Sequence, residues 1–280
     1  MVKEIARLLK DAGIDNSARE AEWLLEAVTG KSSWEIKTFR HRLDDDDAAR
    51  LAELLRRRTN GEPLQYITGI AGFSGVELFV GPGVFIPRPE TETVAEVAMS
   101  HLPEGGLIVD LGTGSGAIAL AIAVERQDAR IYATEQSAQA FQWAEKNRSA
   151  LAAGVKLLRG DLFLPLSADL KGTIDVVVSN PPYVASAEAR RLPTEVLDHE
   201  PPEALFAGDD GLAVIRRIST DAPEWLTEGG WLVLEIGEEQ AEGATTIVRR
   251  AGFNDVAVGR DLAGRDRVLS GRWAGDGAAG

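Results

Sequence analysis

The segment Asn180-Pro181-Pro182-Tyr183 holds the residue types best suited to chemistry in this 280-residue chain. It follows the apolar run Ile174 to Ser179, which reads as a buried parallel strand ending where the segment begins. Each proline lacks an N–H and holds φ at about −65°, so the chain must leave the sheet in a rigid turn. Such a turn leaves the Asn180 side-chain oxygen and the Pro181 carbonyl unpaired at the carboxyl edge of the sheet, with the Tyr183 ring beside them. Two fixed acceptors can grip both hydrogens of an –NH2 group, and a ring can cover its flat face. The residues Asn180, Pro181, Pro182 and Tyr183 are therefore expected to bind a planar amide or amino group and to direct chemistry at its nitrogen. Alone, the tetrapeptide also reads as a strand-ending turn with a packing tyrosine. A second motif decides between the two.

Upstream, Leu107-Ile108-Val109-Asp110-Leu111 is another buried strand, and it runs into Gly112-Thr113-Gly114-Ser115-Gly116. An apolar helical pattern follows through Val124. Strand, glycine turn and helix form the first unit of a doubly wound nucleotide-binding sheet. Next, Arg130 to Thr134 reads as a strand ending at Glu135, whose carboxylate can accept from both hydroxyls of a ribose. A third strand, Lys156 to Arg159, ends at Gly160-Asp161-Leu162-Phe163. There Asp161 can accept from an exocyclic adenine amine and Leu162 can pack on the base. The rival is a dinucleotide such as NAD. The spacing here is G-x-G-x-G, not the G-x-G-x-x-G that seats a pyrophosphate. Asp110 stands two residues before the first glycine, where it would repel a phosphate but favour an ammonium or sulfonium. The expected cofactor is S-adenosylmethionine, held by Asp110, Gly112, Thr113, Gly114, Ser115, Gly116, Glu135, Asp161, Leu162 and the edge of Asn180.

The chain resembles the peptide chain release factor glutamine methyltransferases (PrmC/HemK family). The resemblance runs through Gly61-Glu62-Pro63-Leu64-Gln65-Tyr66-Ile67-Thr68-Gly69, then Phe85-Ile86-Pro87-Arg88-Pro89-Glu90-Thr91-Glu92. It continues through the glycine turn, Asn180 to Tyr183, Glu200-Pro201 and Gly208 to Leu212, and closes with Asp261 to Arg267. The Pro-Arg-Pro-Glu-Thr-Glu block is its most family-specific part. Glu135 stands where aspartate is commoner, and Leu162 where some members carry an aromatic residue. His199 precedes Glu200-Pro201 and is given no catalytic role. The resemblance implies an α/β fold: a seven-stranded Rossmann-like class I methyltransferase sheet preceded by a small α-helical bundle. It implies N5-methylation of the glutamine in a release factor's Gly-Gly-Gln loop, with Pro87 to Glu92 as wall and lid near the donor. For Arg88 and Glu90 the alternative is a salt-bridged anchor.

The elements that must position these residues follow from composition and periodicity. The chain is 44% hydrophobic, ample for a core in two domains. It has no cysteine and three scattered histidines, which argues against disulfides, thiolate chemistry and a metal cluster. No apolar run is long enough for a membrane span, and Met1 to Ile5 leads directly into an amphipathic helix, so a cytoplasmic protein is expected. Net charge is −14, of which −13 lies beyond Gln65. Stable nucleic-acid binding is not expected of so acidic a half. That weighs against the nearest rival, methylation of an exocyclic amine of RNA or DNA. Intact motifs weigh against a non-catalytic binding protein.

Four domain bounds are expected. Residues 1–65 form a helical substrate-recognition bundle, with capping boxes at Ser17 to Glu20 and at Ser32 to Glu35. Its acid run Asp44 to Asp47 caps a helix that ends in Arg56, Arg57 and Arg58. Those arginines, with Arg40 and Arg42, are the expected surface for a protein substrate. Residues 66–87 form a hairpin linker around Gly81-Pro82-Gly83, and 88–273 form the methyltransferase domain. Residues 274–280 form a disordered tail.

Overall fold

The computed structural model describes residues 1–38, 42–151 and 153–275. They part into two compact units, Met1–Ile70 with Pro193–His199, and Ala71–Leu192 with Glu200 onward.

The first unit is helical: Val2–Asp11, Ser17–Thr29, Ser33–Thr38, Asp45–Thr59 and Leu64–Thr68, joined by the short helix Thr194–His199. Apolar residues at helical spacing, including Ile5, Leu9, Leu24, Leu25, Val28 and Leu51, close its core. Asp44 caps its helix by accepting from the Asp47 N–H at 2.8 Å. Ser32 and Glu35 form the expected reciprocal box, Ser32 N–H donating to Glu35 at 2.9 Å and Glu35 N–H to the Ser32 hydroxyl at 3.3 Å. Ser17 and Glu20 do not. Asn16 takes the cap position, and Glu20 turns inward to receive Arg58. Arg58 is buried, donating to Glu20 at 2.6 and 3.1 Å, to Glu195 at 2.8 Å and to the Glu62 carbonyl at 3.0 Å. A guanidinium so enclosed is structural and cannot serve a surface. Arg57 pairs with Glu62 and Arg56 with Glu53, while Arg40 lies outside the described residues.

In the second unit β1 (Ile70–Phe73) and β2 (Val76–Phe79) form a separate hairpin. Its turn is Ser74-Gly75, both at positive φ, which is the twist a two-residue hairpin needs. The expected hairpin around Gly81-Pro82-Gly83 is thus displaced upstream. That second stretch is a loop against the helix Ala138–Ala150: a Cβ on Gly81 would lie 2.5 Å from the Trp143 ring.

The main sheet has seven strands: β3 (Leu107–Leu111), β4 (Arg130–Glu135), β5 (Val155–Arg159), β6 (Ile174–Ser179), β7 (Leu226–Glu235), β8 (Phe253–Arg260) and β9 (Asp266–Trp273). Their order is β5-β4-β3-β6-β7-β9-β8, all pairs parallel except those made by β9. Both faces are covered, so the inner strands are mainly apolar. Period-two alternation sends Ile108, Val176, Val178 and Val233 to one core and Leu107, Val109, Val177, Leu232 and Leu234 to the other. Among the described residues no helix is long and apolar enough to cross a membrane.

Replacing Arg58 by Met strands the Glu20 carboxylate in the helical unit, and should cost about 3–5 kcal/mol. Arg57→Ala breaks a more exposed pair and should cost under about 1 kcal/mol. Urea unfolding of the two variants, followed by circular dichroism, checks the contrast.

Candidate active site

Strand order reverses between β3 and β6, whose helical connections leave toward opposite sides. Ligands of open α/β sheets bind in the crevice this opens at the carboxyl ends. Asp110 is in register with Val178, so the glycine turn after β3 and the Asn180 turn after β6 emerge side by side. The buried Ser179 hydroxyl fastens them by donating to the Leu111 carbonyl at 2.7 Å. Glu135 ends β4, and Gly160-Asp161 follows β5 on the same edge.

The glycine turn is shaped from within. Asp110 is fully enclosed; its Oδ2 accepts from the Thr113 hydroxyl at 2.5 Å and from the Ala119 N–H at 3.2 Å. Its Oδ1 is buried with no hydrogen-bond partner. Burial pushes the Asp110 carboxyl up to about 7. Glu135 accepts from the Gly114 N–H at 2.9 Å and from the Ser137 N–H at 2.7 Å, which ties the turn to the end of β4. Burial raises this carboxyl as well. Gly112 and Gly114 are left-handed, and a Cβ on either would meet nothing within 4 Å. A Cβ on Gly116 would strike Leu120 at 2.7 Å. The first two glycines therefore border open space and the third is a packing glycine. A buried carboxyl oxygen without a partner, an open cradle and a fixed carboxyl at the next strand end fit a nucleoside that carries a positive centre. Thr113 turns its hydroxyl to Asp110 and donates its N–H to the Thr134 carbonyl at 2.9 Å, and the carbonyl of buried Ser115 accepts from Asn147 at 2.9 Å, so both residues hold the turn in shape.

On β6 the Asn180 amino group donates to the Thr91 hydroxyl at 3.1 Å. Thr91 is buried and donates to Glu235 Oε2 at 2.5 Å. The Tyr183 hydroxyl also donates to Glu235, and burial followed by that neighbouring charge pushes the phenol up. Glu235 is itself buried and pushed up to about 7. The Tyr183 carbonyl accepts from Gln240 Nε2 at 2.8 Å. Gly211, left-handed at φ +71°, approaches so closely that a Cβ there would lie 2.2 Å from that carbonyl. The turn is thus braced on both sides of the proline pair.

The remaining site residues are placed less uniformly. Asp161 accepts from Arg217 at 2.5 Å, and Leu162 sits at the end of β5 with a left-handed φ of +47°. Ser74 and Asp255 share this left-handed backbone. Arg88 pairs with buried Glu200, which also accepts from the Ile86 N–H at 3.2 Å, and Glu90 pairs with Arg265 at 2.8 Å. Both termini of the Pro-Arg-Pro-Glu segment are therefore salt-bridged anchors. Glu235 has no place among the site residues expected from sequence, and Thr91 enters there only as part of the Pro87 to Glu92 segment. A carboxylate between Leu234 and Ile236, in a strand with no exposed face, was the available signal. Among the described residues no group of three or more metal-ligating side chains occurs.

Comparison with known proteins sets this geometry in a lineage. The PrmC N-terminal domain pattern matches residues 1–69, and the methyltransferase small domain pattern matches residues 75–208. A release factor glutamine methyltransferase of Geobacter sulfurreducens is 40% identical over 265 residues, 94% of this chain and 92% of that protein. One from Salmonella typhimurium is 41% identical over 273 residues, 96% of each. Among solved structures, a T. thermophilus 16S rRNA N2 methyltransferase in complex with AdoMet and guanosine superposes with a TM-score of 0.54. That structure is 20% identical, with 73% of this chain and 49% of the other covered, and shares the fold.

The raised carboxyls carry a signed pH effect. Asp110, Glu135 and Glu235 hold protons in the folded chain that the unfolded chain releases near pH 4, so stability should fall as pH rises from about 4 to about 7. Carboxyls held down by ion pairs, such as Asp210 beside Arg216, titrate below that window. Unfolding midpoints at pH 5 and pH 8 should differ in this sense, and Asp110→Asn should reduce the difference.

Proposed function

The chain belongs to the release factor glutamine methyltransferases, and from that membership and its Asn180 turn we infer what it does: it transfers a methyl group from S-adenosylmethionine to the side-chain amide nitrogen of the glutamine in the Gly-Gly-Gln motif of peptide chain release factors. The observation that carries this reading is the fixed turn at Asn180, which offers acceptors and no base. When bound, the cofactor supplies a methyl group already activated by its sulfonium.

The residues of this chain do the rest by position. Asp110 Oδ1 is suited to the positive centre of the donor, Glu135 to the ribose hydroxyls, and the backbone from Gly112 through Thr113, Gly114 and Ser115 to Gly116 lines the approach. Asp161 and Leu162 suit the base. An amide nitrogen is a poor nucleophile because its lone pair is delocalised into the carbonyl. Asn180 Oδ1 and the Pro181 carbonyl accept its two hydrogens, which turns the lone pair toward the methyl and stabilises charge developing on nitrogen. Pro182 keeps the turn rigid, and Tyr183 packs on the amide plane. The proton leaves after methyl transfer, so no base is needed before attack.

The same turn suits an exocyclic amine of a nucleic acid. The charge of −13 beyond Gln65 favours a protein acceptor instead. A release-factor substrate implies action in the cytoplasm. We assign recognition of the intact factor to the helical unit, since one amide clamp gives little binding energy against the cost of ordering a loop.

Glu135→Ala should weaken donor binding by roughly 1–3 kcal/mol in calorimetry through lost charged hydrogen bonds. Asn180→Ala should leave donor affinity within a few fold and cut turnover by about two to three orders of magnitude. Labelled donor with a purified release factor, followed by mass mapping, locates the product. Methyl transfer to purified rRNA and to no release factor would overturn the substrate assignment. If the helical unit recognises the factor, deleting residues 1–65 should raise KM for the whole protein far more than for a short Gly-Gly-Gln peptide. Equal losses on both, with a lowered melting temperature, would assign it a stabilising role only.

A further inference from the structure

We propose that Glu235 is a positioning residue which, through Thr91, holds the Asn180 carboxamide with its oxygen toward the acceptor nitrogen. The proposal rests on the functional reading above. A carboxamide has one end that accepts and one that donates, and the two have nearly the same shape. Turned by half a rotation, Asn180 would present an –NH2 to the –NH2 of its substrate, and the clamp would fail. Something must therefore break the near-symmetry, and the structure contains a device able to do so.

Thr91 has a single hydroxyl hydrogen. At 2.5 Å from Glu235 Oε2 that hydrogen is committed to the carboxylate. The Thr91 oxygen is left able only to accept, so it selects the amino end of Asn180, at 3.1 Å. A flipped Asn180 would set its oxygen against a hydroxyl with no hydrogen left to give. Glu235 is in turn held from several elements. Tyr183 donates to it from the turn after β6, Arg267 of β9 attracts it, and Glu90, beside Thr91, repels it. Arg267 is fixed by donating to the Ile236 carbonyl at 3.1 Å.

The lock depends on charge. A protonated Glu235 could donate to Thr91, which would free the Thr91 hydrogen for Asn180 Oδ1 and favour the flipped amide. Burial places the titration of Glu235 at about 7, so the acidic side of the rate profile should report this residue although it does not touch substrate.

The test uses the full chain, a purified release factor and labelled donor. Thr91→Val keeps the shape and removes the hydroxyl. It should lower kcat by about 10- to 100-fold, the scale of one buried polar contact, with donor affinity within twofold. Thr91→Ser should restore most of the rate. In an Asn180→Ala background Thr91→Val should cause no further loss, because there is no amide left to orient. In Glu235→Gln the fall of kcat below neutral pH should shrink, leaving only what the Asp110 carboxyl contributes. A Thr91→Val enzyme within twofold of wild type, or an equal further loss in the Asn180→Ala background, would overturn the proposal. Should Thr91→Val fail to fold, an unchanged acidic limb in Glu235→Gln overturns it instead. A wild-type chain that methylates no release factor would defeat the functional reading itself, which is a distinct result.

Discussion

Everything at this site depends on the burial of both sheet faces. Because helices cover β3, β6 and β7 on either side, the middles of these strands carry apolar residues at successive positions, and polar groups are pushed toward their ends. Chemistry is therefore confined to one edge. The reversal of strand order between β3 and β6 then opens that edge, and the Ser179–Leu111 hydrogen bond fixes the two turns at one separation. On the proposed reading, cofactor recognition falls on the side of β3, β4 and β5, and acceptor recognition on the side of β6 and β7. Neither half could be assembled by a sheet wetted on one face, because its polar residues would be spread along each strand.

Much of this was legible in the amino-acid sequence, for a reason specific to the elements concerned. Buried strands read as continuous apolar runs, and each is punctuated by the residues that must stop it: Gly112 after Leu111, Asn180-Pro181 after Ser179, Glu135 after Thr134. Backbone constraints of this kind are local, so a window of ten residues reveals them. What stayed hidden was long-range. Glu20 lies four positions into a plausible capping box, and nothing nearby says that Arg58 will claim it. Glu235 meets Thr91 across 144 positions of sequence. The hairpin was misplaced because Gly81-Pro82-Gly83 looks like a stronger turn than Ser74-Gly75. Gly81 is required instead by the Trp143 ring, which leaves no room for a Cβ, and Gly83 by its left-handed φ of +88°.

The glycine turn and the helical unit use buried charge differently. Arg58 is surrounded by carboxylates and a carbonyl, so its charge is answered, and its role is to fasten helices together. Asp110 is a carboxyl taken from water with too few donors, its Oδ1 unpartnered. Full compensation makes a rigid joint; incomplete compensation leaves affinity for something else. Where a buried charge is left short of partners thus separates positions that serve folding from positions that await a ligand.

The unpaired Oδ1 of Asp110 also bears on how long the protein survives in a cell. A ligand that binds only the folded form adds stability in proportion to the logarithm of its free concentration. A positive centre beside Asp110 would in addition favour ionisation of a carboxyl that burial holds up at about 7. The empty chain visits unfolded and protease-sensitive states more often than the loaded one. Supply of the methyl donor is therefore expected to set the share of chains that resist proteolysis as well as the share that is saturated.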